Sequence, residues 1–66
     1  MVNTDAILAL IEQRGVKRRF IAQQMGISET RMHRLLNGWK WKLDEVVAFC
    51  RVMNLTRKQR DEIFLF

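Results

Sequence analysis

Arg18-Arg19-Phe20-Ile21-Ala22-Gln23-Gln24-Met25-Gly26-Ile27-Ser28-Glu29-Thr30-Arg31-Met32-His33-Arg34-Leu35-Leu36-Asn37-Gly38 is the stretch on which the fold turns. Counted from Arg18, a small residue stands fifth and a glycine ninth, with apolar residues fourth, eighth, tenth, fifteenth and eighteenth. Each position has a steric reason. Two helices crossing at ~90–120° through a short turn bring their backbones close together. Ala22 falls where the second helix crosses the first, and a larger side chain there would push them apart. Gly26 supplies the positive φ that the turn needs at little steric cost. Ser28 can cap the following helix by accepting from its free N–H groups. The spacing predicts one helix over about 18–25, with Phe20, Ile21 and Met25 as its apolar positions, and another over about 28–36, with Ile27, Met32 and Leu35 facing the core.

Working outward, the remaining chain divides into helix-length pieces with no proline and no alternating strand pattern. A first helix is expected from near Asn3, its cap, to Arg14, with Gly15 as its stop. Val2 and Ile7 are placed to form a hydrophobic staple. Ile7, Leu8 and Ile11 make the inward stripe, with Leu10 at its margin. A fourth helix is expected over about Leu43 to Met53, burying Val46, Val47, Phe49, Cys50 and Met53. Asp44 and Glu45 would complement its dipole. Thr56 and Gln59 form a capping box that opens a fifth helix, which carries Ile63, Phe64, Leu65 and Phe66. The expectation is one all-α, compact five-helix domain over residues 1–66.

Composition narrows the function classes. At 66 residues, little material remains for a deep cavity once a core is made. The 48% hydrophobic content is nevertheless enough for one core, which argues against disorder. Cys50 is the lone cysteine, so no internal disulfide or zinc knuckle can form. No apolar run reaches the roughly 18 residues of a membrane span, and a soluble, cytoplasmic protein is expected. One histidine, one cysteine and no tyrosine make an enzyme a poor reading. No cofactor, metal or small-molecule ligand is expected. The formal charge of +5 is unevenly spread: residues 16–42 hold seven Lys/Arg against Glu29 alone. A basic zone of this kind is the footprint of a polyanionic partner.

The motif from Arg18 to Gly38 resembles the helix-turn-helix of the lambda-type repressor and Cro family of phage and bacterial transcriptional regulators. The helix before it and the two after it match that family's five-helix layout, so the resemblance covers nearly all of the chain. Two positions depart from the usual pattern. Arg18 stands where many members have a phosphate-contacting glutamine, a role that arginine can fill more strongly. The loop after Asn37-Gly38 reads Trp39-Lys40-Trp41-Lys42, where members often have proline. The resemblance implies sequence-specific binding of double-stranded DNA, with residues 28–36 as the recognition helix. It also implies a Cro- or repressor-like regulator of a phage or mobile element, acting in a bacterial cell or phage-infected host.

A helix in the major groove reads bases with its N-terminal and outward side chains. With Met32 and Leu35 turned inward, those are Glu29, Thr30, His33 and Arg34. Glu29 can accept from cytosine N4, Thr30 can meet a thymine methyl, and His33 or Arg34 can donate to guanine. Phosphate contacts are expected from Lys17, Arg18, Arg19 and Ser28, and from Arg31, Asn37, Lys40 and Lys42. Of Trp39 and Trp41, one ring could pack on the sugar-phosphate backbone or at least one could close the core beneath helix 4, and for Trp41 the core is the preferred reading. Ile63, Phe64, Leu65 and Phe66 are the expected homodimer contact, which would suit a near-palindromic operator. The rival is a protein-interaction module of the same fold, such as an antitoxin or partner-docking domain.

Overall fold

The computed structural model describes residues 2–64. It contains α1 (Thr4–Arg14), α2 (Arg18–Met25), α3 (Glu29–Leu36), α4 (Leu43–Val52) and α5 (Arg57–Phe64), with no strand among the described residues. None of these helices is long and apolar enough to cross a membrane.

Helix boundaries follow from local chemistry. The Asn3 side chain accepts from the Ala6 N–H, Ser28 Oγ from the Arg31 N–H, and Thr56 Oγ1 from the Gln59 N–H. Gln59 returns the last bond by accepting from the Thr56 N–H at 3.0 Å, which completes the capping box. Three helices end alike. At the end of α2 the Gly26 N–H reaches the Gln23 carbonyl and the Ile27 N–H the Ala22 carbonyl, with Gly26 at φ +77°. This Schellman arrangement satisfies carbonyls that the helix leaves open. No heavy atom stands near a Cβ added at Gly26, so the backbone angle, not crowding, calls for glycine there. The same pattern closes α1 at Gly15 and α4 at Asn54, whose φ of +49° makes it the one left-handed residue other than glycine among the described residues.

Packing places α2 against α3 and α4, and α1 against α3 and α5. Ile7, Leu10, Ile11, Ile21, Ala22, Met32, Leu35, Leu36, Val46, Phe49, Met53, Ile63 and Phe64 form one core. Trp41 joins it, and its ring meets Phe49 and Phe64 edge-on at centroid separations of 5.3 and 5.2 Å, a favoured aromatic geometry. Trp41 thus closes the core as its loop position suggested. Two ties join distant segments: the Asn3 N–H donates to the Ile63 carbonyl at 2.6 Å, and the Arg14 guanidinium at the end of α1 donates to the Met53 carbonyl after α4.

Several inward faces differ from the expected ones, and rotation by about 100° per residue explains each. In α1 the buried set is Ile7, Leu10 and Ile11, which centres the face on Ile7 and swings Leu8 to its edge. In α2 the buried pair is Ile21 and Ala22, leaving Phe20 exposed. In α4 the buried line is Val46, Phe49 and Met53, with Glu45 beside it. Val47 then sits roughly 150° from the centre of that face and is exposed, as is Leu43, while Cys50 is half-buried. The expected dimer contact also needs correction. Ile63 and Phe64 are 4% and 2% exposed because they fill the core between α1 and α4, so neither offers a surface to a partner. Leu65 and Phe66, the rest of that expectation, lie outside the described residues.

Candidate nucleic-acid interface

Ala22, 1% exposed, is buried on α2, which packs against both α3 and α4. Because α3 buries Met32, Leu35 and Leu36, its opposite side is turned to solvent. Glu29, Thr30, His33 and Arg34 are all exposed there. Lys17, Arg18 and Arg19 are exposed at the start of α2. Its first N–H groups have no side-chain cap, so they remain open to an anion. Arg18 and Arg19 from α2 and Glu29, Met32 and His33 from α3 line one cleft of about 190 Å³.

Within this surface several side chains hold one another. Arg19 Nε lies 2.8 Å from Glu29 Oε1, with both side chains largely in solvent. An ion pair this exposed contributes little to stability, and a phosphate can displace the carboxylate at small cost. The Arg34 guanidinium stands 5.0 Å from the centroid of the exposed Trp39 ring. That cation–π contact holds Arg34 while its edge donors stay free. Trp39 is therefore the support beneath an expected base-reading side chain, a role that loop composition alone could not assign. Ser28 Oγ accepts from the Arg31 N–H at 3.0 Å and keeps its hydroxyl hydrogen to donate. Lys40 and Lys42 are exposed on the loop between α3 and α4.

Two of the expected phosphate contacts, Arg31 and Asn37, are engaged within the protein. Arg31 grips Glu45 with Nε to Oε2 and Nη2 to Oε1, both at 2.7 Å, and Nη2 also donates to the Lys40 carbonyl at 3.1 Å. This bidentate fork joins α3 to α4 and takes three of the five guanidinium donors, leaving those of Nη1. Glu45, which is 6% exposed, also accepts from the Lys42 N–H at 2.8 Å. The Arg31 hydrogen bonds, with help from Lys42, hold the Glu45 carboxyl below its ordinary range against the upward push of burial. Asn37 is likewise engaged. Its Nδ2 faces the His33 carbonyl at 2.7 Å and His33 Nε2 at 3.1 Å, and its backbone N–H is bonded to carbonyls of α3. Neither donor is left for a phosphate.

Among the described residues no group of three or more His, Cys, Asp or Glu side chains is gathered to hold a metal ion. Burial raises the Cys50 thiol above its ordinary value, which makes it a weaker nucleophile at neutral pH. What the surface can do is present fixed donors and cations to a grooved polyanion. A family model for the Cro/C1-type HTH DNA-binding domain matches residues 6–58, which takes in the cleft, both of its helices and the α3–α4 brace. Searches of the curated proteins and of the solved structures return no match.

Proposed function

The chain belongs to the family of Cro/C1-type HTH DNA-binding domains, and we propose that it acts within it as a sequence-specific regulator of transcription. The single observation that carries this reading is the shared cleft, where the cations of α2 flank the outward side chains of α3. In the proposed complex α3 enters the major groove. Glu29, Thr30, His33 and Arg34 meet base edges, while Lys17, Arg18, Arg19, Ser28, Lys40 and Lys42 address phosphates on either side. We place this activity in a Cro- or repressor-like protein of a phage or mobile element, working by binding alone in the bacterial cytoplasm over a near-palindromic operator. The dimensions support two copies per operator. The molecule is about 26 Å along its longest axis, and successive major-groove half-sites lie about 34 Å apart.

Selection of a preferred site from random duplex DNA, followed by salt titration, tests the reading. Affinity should fall steeply with salt as condensed counterions are released. Arg18→Ala should weaken selected and random DNA alike and reduce the salt slope by about one, whereas Thr30→Ala should relax the preference at one position. A flat salt dependence, or equal losses from both variants on both DNAs, would overturn the assignment. A flat dependence would also favour the protein-docking reading of the same fold.

A further inference from the structure

The contact between Asn37 and His33 fixes more than the end of α3. Asn37 Nδ2 lies 2.7 Å from a carbonyl oxygen, which only accepts, so the atom facing it is the amino nitrogen. Turning the amide over would set two acceptors against each other. The same nitrogen carries a second hydrogen and has no lone pair to offer, so at 3.1 Å it donates to His33 Nε2. Nε2 must then hold the lone pair, which leaves the proton of the neutral ring on Nδ1. Nδ1 has no hydrogen-bond partner in the protein among the described residues, and the ring lines the cleft beside Arg18 and Arg19.

Resting on the DNA-binding reading above, we propose that Asn37 is a positioning residue that locks His33 as the Nδ1–H tautomer, so that α3 presents one donor to guanine N7. The ring cannot also accept, since its lone pair is occupied by Asn37. Guanine is favoured over adenine by the neighbouring atom. Beside N7 guanine carries O6, a second acceptor that tolerates the donor, whereas adenine carries an amino group that opposes it. Cytosine offers only a donor at its major-groove edge and is rejected.

Two measurements test this separately from DNA binding as such. Long-range proton–nitrogen NMR of the free protein, read on the neutral ring, should show the Nδ1–H pattern at His33. Asn37→Ala should shift it to Nε2–H with the amide spectrum of the helices otherwise kept. An Nε2–H ring in the wild type, or a pattern unmoved by Asn37→Ala, overturns the proposal whatever the DNA result. On the selected duplex, 7-deazaguanine is then placed at each guanine in turn. One position should cost the wild type about tenfold in affinity, as expected for losing a base contact, and cost His33→Ala and Asn37→Ala much less. A site bound tightly with no such position overturns the proposal while leaving the DNA-binding reading intact. Failure to select any site overturns both.

Discussion

At the scale of single residues, the side chain with the largest consequences is Glu45, which the composition of α4 disguises as a simple dipole-complementing acid. Its carboxylate is buried and accepts from Arg31 at two oxygens and from the Lys42 N–H. Replacing it leaves a guanidinium without its partner between α3 and α4, and a buried polar site less satisfied. Glu45→Gln is therefore expected to lower the thermal midpoint at neutral pH by roughly 5 °C. The pH dependence follows from the direction of the shift. The folded carboxyl titrates below its ordinary value of 4.5, so its contribution is complete above that value. It is lost as pH falls through the lower folded value. Calorimetry should show the gap between wild type and Glu45→Gln shrinking below about pH 4.5, and a gap that stays constant in acid would contradict this account.

At the scale of elements, the helix-turn-helix was legible because its signals are local. Gly26, Ser28 and the cap at Asn3 act within four residues, so the ends of α1, α2 and α3 fall within a residue of where spacing puts them. The outward set Glu29, Thr30, His33 and Arg34 was legible for a related reason. Once Met32 and Leu35 are inward, helical rotation leaves these residues in solvent. What spacing could not give are choices made by distant partners. Arg31 meets Glu45 fourteen residues away, and the inward face of α4 is set by its neighbours, because Leu43, Val47 and Cys50 are apolar enough to suggest a wider one. Ala22 tests the element itself. It is buried where α2 and α3 are packed together, so Ala22→Leu should overfill the contact and cost about 1–3 kcal/mol in urea unfolding. By changing the angle of α3 to α2 it should weaken DNA binding more than the unfolded fraction accounts for. A variant that keeps full affinity would show that the crossing angle does not set the interface.

At the scale of the whole molecule, the proposed near-palindromic operator asks how a body about 26 Å long would engage half-sites about 34 Å apart. Two copies can do so, and the surface that would join them is not the buried pair Ile63 and Phe64. The side chains left in solvent on α4 are better candidates. Leu43 is 73% and Val47 57% exposed, and with Cys50 and Arg60 they border a shallow groove. A two-fold axis near Val47 would set two α4 helices antiparallel. The acidic first turn at Asp44 would then approach the basic last turn at Arg51 of the second copy, with the helix dipoles opposed in the favourable sense. This self-complementarity is what an isologous contact requires. Val47→Asp should leave the monomer's stability within about 0.5 kcal/mol, as an exposed substitution does. It should keep affinity for one half-site and abolish the concentration-dependent gain on two. Gel-shift titrations on one- and two-half-site duplexes would read this directly. If Val47→Asp keeps that gain while Leu65→Ser removes it, the second copy is held by the end of the chain and not by α4.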